Sequence, residues 1–278
     1  MSPSALRRTA LAVATSAAAV LAPMALATTT VASAAGPHTI MGLSDLHADM
    51  GWMPTAPTTS PVQAATAPTT TVKLAALTSA SYRFSSILDG APVRWNPCQV
   101  IHWKANVARG PVGGLDVLKA AVAHVAYSTR TTWVYDGATT TVPSTAYLPK
   151  TPTNVNKPVV IGWTDGTASD LLRYKPAAVL GMTRTVWFGV DDGMGHRVAA
   201  TRAAVVALDR TDRLPLRGTQ SWSATALHEL GHVMGLDHPT DTRQLMAATL
   251  PNVATLQTGD ETGLHRVGRD AGCVNIPA

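Results

Sequence analysis

Histidine residues are concentrated between residues 228 and 238, in a stretch that reads HELGHVMGLDH. His228 and His232 are four residues apart, and residues at this spacing share one face of a helix, so their imidazoles can bind one metal ion. Gly235 can adopt the left-handed conformation that ends a helix, which lets the chain turn back and bring His238 to the same point. Three histidines and one open position are typical of a catalytic zinc site.

Glu229 is the candidate catalytic base. It directly follows the first histidine and lies about 100° around the helix from it, which favours contact with a zinc-coordinated water over contact with the metal. Zinc lowers the pKa of such a water to about 7, and a neighbouring carboxylate can take its proton and pass it to a leaving amine. The expected chemistry is hydrolysis of a peptide bond.

Two alternatives compete with a catalytic site. With nine histidines, 21 glycines and two glutamates in 278 residues, a chance match to this pattern has a probability on the order of 10⁻⁸ at one position, which disfavours a random cluster of surface histidines. A structural zinc is the stronger alternative, and the open fourth position and Glu229 argue against it. Four histidines elsewhere in the second half and middle of the sequence lack ligand spacing and are interpreted as packing or surface residues: His102, His124, His196 and His265.

The N-terminus predicts export. Arg7 and Arg8 precede an apolar, alanine-rich stretch, and small-residue cleavage sites follow at 25–27 and 32–34. These features predict a signal peptide over residues 1–34 and a secreted, extracellular protein. A membrane anchor is the alternative, but the stretch is mostly alanine and is broken by Pro23, so we expect no anchor after signal removal.

Residues 35–75 are predicted to form a tail or linker, with a short propeptide as the alternative. Their second half is rich in Pro, Thr and Ala and has no hydrophobic period. The catalytic domain is expected to span residues 76–278. Apolar residues make up 46% of the chain and charged residues 14%, which is enough to build a core and argues against a charge-driven disordered protein.

The order of predicted elements indicates an α/β or α+β domain. Strands are expected over 99–107, 131–135, 158–163 and 203–208 and within 179–190, and helices over 115–127, 222–234 and 258–267. The almost wholly apolar strand at 158–163 should be central, and the one within 179–190 should be an edge. Ser221 or Thr219 is the expected N-cap of the helix that carries the histidines.

Two cysteines, Cys98 and Cys273, suggest one disulfide in an exported chain, with two separate thiols as the alternative. The net charge is +5, and no run of basic residues exists. We therefore expect no nucleic-acid partner, and a wall or polyanion partner has only the overall charge in its favour.

The stretch HELGHVMGLDH fits the HExxHxxGxxH signature of the metzincins. Met246 follows His238 by eight residues, at the place of the methionine that lies beneath the metal in that family. The segment HPTDTRQLM is similar to the matrixin branch. RWNPC at 94–98 and GDETGL at 259–264 resemble segments of secreted bacterial matrixin-like peptidases.

The resemblance implies a twisted, mostly parallel five-stranded sheet with an antiparallel edge strand, an active-site helix and a short C-terminal helix. It also implies one catalytic Zn²⁺ and a polypeptide substrate that lies extended along the edge strand, with residues 247–252 as a pocket wall. We expect a monomer. Residues 191–195 could hold Ca²⁺, but an ordinary acidic turn is the favoured interpretation.

Two features of the family are absent from this sequence. No cysteine precedes Cys98, so the propeptide cysteine that blocks zinc in animal matrixins is missing, and no tyrosine follows Tyr174 to serve as an extra ligand. The resulting hypothesis is a secreted zinc-dependent endopeptidase. The alternative is a zinc-holding module that binds polypeptides without turnover, and the intact Glu229 favours the enzyme.

Overall fold

The computed structural model describes residues 39–42, 79–151, 155–176, 179–191 and 197–274. The predicted signal peptide, most of the predicted tail, all but the first residue of the candidate Ca²⁺ segment at 191–195, and His196 lie outside the described residues. The predicted domain boundaries near residues 34 and 75 lie there too, and they stay predictions.

The described residues form eleven strands and three α-helices. The strands are β1 (Thr39–Gly42), β2 (Arg83–Phe84), β3 (Ile87–Leu88), β4 (Ala91–Pro92), β5 (Ile101–Asn106), β6 (Trp133–Ala138), β7 (Val159–Thr164), β8 (Val179–Asp191), β9 (Arg197–Asp209), β10 (Leu236–Asp237) and β11 (Thr249–Leu250). The helices are α1 (Gly114–Thr129), α2 (Trp222–Met234) and α3 (Thr258–Val267). The predicted bounds of the last two helices coincide with those observed, whereas β9 begins six residues before the predicted strand.

Five long strands form the main sheet in the order β8-β9-β7-β5-β6. The pairs β9–β7, β7–β5 and β5–β6 are parallel, and β8 is antiparallel to β9. This arrangement confirms the expected mostly parallel sheet with an antiparallel outer strand. Beyond β8 the sheet continues with the four-residue β1, antiparallel to β8, and the two-residue β11, parallel to β1.

The central strands are apolar because both faces of the sheet are covered. All six residues of β7 are buried, as its apolar sequence predicts. In β9, Ala204, Val206 and Leu208 join the large core beneath α1 and α2. The residues that alternate with them, Ala203, Val205 and Ala207, join a second, smaller cluster. Alternate side chains of one strand thus serve two cores.

Helix α2 has well-defined ends. The Ser221 hydroxyl accepts a hydrogen bond from the Ala224 N–H, so Ser221 is the N-cap rather than Thr219. Gly235 ends the helix with a φ of 106°, a conformation that glycine adopts without a side-chain clash. A Cβ at this position would lie 2.7 Å from the Val93 carbonyl oxygen, which also requires glycine here.

A disulfide joins Cys98 to Cys273, whose Cα atoms are 5.4 Å apart. Beside it, the Asn96 side chain donates to the Val274 carbonyl and accepts from the Val274 N–H. The Arg94 guanidinium also donates to the Ala271 carbonyl, so the segment before β5 is tied to the C-terminal segment by one covalent bond and three hydrogen bonds.

Thiol titration of the denatured, unreduced protein should find no reactive thiol, and reduction should release two. The Cys98→Ser/Cys273→Ser protein should lose up to about 5 kcal/mol of unfolding free energy, because the bridge spans 175 residues and restricts the unfolded chain. Two thiols that react before reduction would contradict the bridge.

Candidate active site

Helix α2 places His228, Glu229 and His232 in the protein interior. All three are at most 1% exposed, and every residue of the helix is buried. The two histidines lie one helical turn apart, and their ring centroids are separated by 4.7 Å. A buried helix that brings two imidazoles to one point is an arrangement for binding a ligand rather than for packing alone.

His238 reaches the same point after the turn at Gly235. The Nε2 atom of His232 lies 3.0 Å from that of His228 and 3.1 Å from that of His238, and the remaining Nε2 pair is 3.3 Å apart. Tetrahedral zinc with Zn–N bonds of 2.0–2.1 Å would separate its nitrogen ligands by about 3.3 Å. The three nitrogens are therefore spaced as a shared zinc ion requires.

Backbone carbonyls fix the orientation of two of the rings. His228 Nδ1 lies 2.7 Å from the Leu245 carbonyl oxygen, and His232 Nδ1 lies 2.8 Å from that of Leu236. A neutral imidazole that donates from Nδ1 carries a lone pair on Nε2, which is the form that binds metal. Among the described residues, only these three histidines form a group with metal-ligand spacing, so the donor set fits zinc with an open fourth position.

Glu229 lies against β8 rather than on the face that carries the histidines. Its Oε2 atom is 2.5 Å from the Thr183 hydroxyl, while Oε1 is buried and has no hydrogen-bond partner among the described residues. Burial raises the pKa of the Glu229 carboxyl to about 8, and the hydrogen bond from Thr183 acts in the opposite direction. A nearby cation would also lower this pKa.

Met246 packs directly beneath α2. It is 1% exposed, and a Cβ built on Gly231 would lie 2.3 Å from its Sδ atom. Gly231 stands between the two helix histidines in sequence, so the methionine supports the turn that carries them. The sequence analysis identified Met246 but missed Gly231. A glycine inside a helix is unfavourable by about 1 kcal/mol, and this is the signal that could have identified it.

Asp260 is a second residue that sequence reasoning missed. It is fully buried in α3, and its carboxylate accepts hydrogen bonds from the N–H groups of Leu245, Met246 and Gln257. Burial raises the pKa of this carboxyl to about 6, and the three backbone donors oppose that shift. Since the Leu245 carbonyl contacts His228, Asp260 supports the histidine cluster through the turn at Met246.

Gly231→Ala should lower the free energy of unfolding, although alanine is the better helix former. The added methyl group must displace the Met246 thioether, and overpacking of this kind costs about 1–3 kcal/mol, of which helix preference offsets about 1 kcal/mol. Thermal or denaturant unfolding measures the change. The Gly231→Ala/Met246→Ala protein should lose less than the sum of the two single variants, and strict additivity would show that the contact is absent.

The other described histidines lie outside this cluster. His102 pairs with Asp136, His124 with Glu261 and His265 with Asp270. Their interpretation as packing or surface residues agrees with these contacts.

Comparison with known proteins places the chain in a family. The matrixin family model matches residues 27–267. Among solved structures, the chain is similar to metalloproteinase-II from Bacteroides fragilis, with 16% sequence identity and a TM-score of 0.36, over 64% of this chain and 56% of that chain. No curated protein matches it. Among the described residues, none of the helices combines the length and the hydropathy that a membrane span requires. Since the family match covers most of the sequence, the chain belongs to the matrixin family of zinc metallopeptidases.

Proposed function

We propose that this protein is a secreted zinc-dependent endopeptidase and that Glu229 is its general base. One observation carries the proposal. Three histidine Nε2 atoms converge within 3.3 Å of one another, and the residue after the first histidine is a buried carboxylate whose Oε1 has no partner in the described chain. A structural zinc would need no such carboxylate.

The proposed roles follow from the donor atoms. His228, His232 and His238 would hold the zinc ion, which when bound lowers the pKa of a coordinated water and polarises a carbonyl group. Glu229 would take the proton of the attacking water on Oε1 and deliver it to the leaving amine.

The edge of β8 that β1 occupies is the proposed binding surface for an extended polypeptide, which would take the place of β1. Gly181 and Thr183 of this strand lie against Glu229. The same stretch of strand already pairs antiparallel with the backbone of β1, with Thr39 opposite Met182 and Met41 opposite Val179. A substrate that paired with β8 in the place of β1 would have its backbone beside the carboxylate.

Export is supported by the sequence and by the disulfide. The N-terminal 34 residues have the charge, apolar stretch and small-residue sites of a signal peptide. The Cys98–Cys273 bridge is of a kind that persists in oxidising compartments. Both features favour action outside the cytoplasm.

A peptide-library digest tests the proposed function. The secreted protein is incubated with a broad mixture of peptides in three samples: untreated, treated with a zinc chelator, and treated with the chelator followed by excess zinc. We expect internal cleavage in the first and third samples only. A parallel sample restored with calcium alone separates a zinc requirement from a calcium requirement.

Two results would overturn the proposal. Cleavage that persists after complete zinc removal would exclude a zinc-dependent reaction. Protein that holds zinc but cleaves no peptide in the library would favour the binding module without turnover.

A further inference from the structure

We propose that Thr183 is a positioning residue that holds Oε2 of Glu229 and thereby presents Oε1 to the reacting water. This inference rests on the proposed function, since it assigns a task to a neighbour of the proposed base. Thr183 is in β8, 46 residues before Glu229, and it was not among the residues predicted from the sequence.

The hydroxyl proton of Thr183 has two acceptors within reach. Its Oγ1 lies 2.5 Å from Glu229 Oε2 and 3.1 Å from the Glu229 carbonyl oxygen. A hydroxyl donates one proton, and hydrogen bonds to a charged acceptor are the shorter and stronger ones. The distances therefore assign the proton to the carboxylate, with the carbonyl as a weaker second contact.

The threonine is itself held in place. It is 1% exposed, and its backbone pairs with Val206 in the antiparallel ladder between β8 and β9. A β-branched side chain has few accessible rotamers, so a buried threonine in a paired strand offers its hydroxyl in one direction. Serine in the same place would offer the same group with less restriction.

Gly181 completes the contact between β8 and the carboxylate. It precedes Thr183 by two residues and so lies on the same face of the strand. A Cβ at Gly181 would be 2.8 Å from Glu229 Oε1 and 3.2 Å from Cδ. The strand thus leaves room for the carboxyl group at one position and binds one of its oxygens at the next position on that face.

The effect of this contact is to fix a side chain that has several rotatable bonds. Without the hydroxyl, the Glu229 carboxylate can rotate away from the position that the reaction requires, and a small displacement of a reacting group costs rate. The bond holds Oε2 before the reaction begins, so Oε1 is the oxygen left for proton transfer. Thr183 therefore acts through Glu229.

Thr183→Val tests the inference, because valine keeps the branched shape and removes the hydroxyl. We expect kcat to fall by about 10–100-fold, the range for loss of a hydrogen bond to a charged group, with little change in KM and with zinc content retained. Thr183→Ser should restore most of the parental kcat. Thr129→Val is the matched control: Thr129 is equally buried, and its hydroxyl donates to the Val125 carbonyl in α1. This variant should keep the parental kcat.

A structural measurement gives a readout independent of turnover. Crystal structures of the zinc-loaded parent and Thr183→Val proteins should show the Glu229 carboxylate in one position in the parent and displaced or divided in the variant. Thr183→Ala receives the same measurements if the valine variant does not fold, since it removes the same hydroxyl and adds no second methyl group.

Three results would overturn the inference: a parental kcat in Thr183→Val or Thr183→Ala, an unmoved carboxylate, or no rescue by serine. Failure of the proposed function would look different. In that case the parent protein itself would cleave nothing, or it would cleave without zinc, and both inferences would fall together.

Discussion

Glu229→Gln should lower kcat by about 10²–10⁴-fold, the usual effect of removing an acid–base group, while zinc content stays at about one ion per chain. Glutamine keeps the size of the side chain, and its amide oxygen can still accept the hydrogen bond from Thr183. It cannot take a proton from water at neutral pH. The three imidazoles are unchanged, so metal analysis and steady-state kinetics on the same preparation separate the loss of chemistry from the loss of zinc.

The chain offers a matched control for this variant. Glu261 is its only other glutamate, and in α3 it accepts a hydrogen bond from Ser128 in α1. Glu261→Gln removes the same kind of charge away from the histidine cluster and should keep kcat near the parental value. A Glu229→Gln protein that turns over as fast as the parent would show that Glu229 is not the base.

His232→Ala should abolish both zinc binding and activity. Two imidazoles and water bind zinc far more weakly than three, and His232 is buried at the centre of the cluster, with the shortest distances to both other rings. Zinc that binds only the folded protein stabilises it, so a chelator should lower the Tm of the parent and leave the Tm of the variant unchanged. Metal analysis after dialysis and paired melting curves measure these effects.

His102→Ala is the control for the loss of a histidine. His102 lies on β5 and pairs with Asp136, with its side chain about half exposed. This variant should retain zinc, activity and the response of the Tm to chelator. If His232→Ala also retained a full complement of zinc, the metal would have to lie elsewhere, and the assignment of the cluster would be wrong.

The helix that carries the site was predictable because its signals are local. The spacing of His228 and His232, the cap at Ser221 and the terminating Gly235 are all read within about 15 consecutive residues, and each has a direct physical meaning on a helix. The central strand β7 was predictable for a similar reason, since an unbroken apolar run is typical of a strand covered on both faces.

The residues that support the site could not be found in the same way. Thr183 meets Glu229 across 46 positions of sequence, and Asp260 meets Leu245 across 15. The resemblance of the segment at 259–264 includes Asp260 but gives it no task, and a threonine in a strand and an aspartate in the first turn of a helix are both ordinary. Their partners are fixed only by how β8 and α3 pack around α2. The pairing of β1 with β8 also has no local signal.

Because Asp260 is the acceptor for the Leu245 and Met246 N–H groups, the histidine cluster depends on a residue made after the HELGH motif. During synthesis, α2 can leave the ribosome and form while the peptide groups at 245 and 246 still lack their carboxylate. A fragment that ends before residue 257 would contain every proposed zinc ligand and the proposed base. It would nevertheless lack the Asp260 carboxylate, which accepts hydrogen bonds from the turn beneath them. Ribosome-bound chains halted at successive lengths should therefore gain ordered, tight zinc retention only once α3 has emerged.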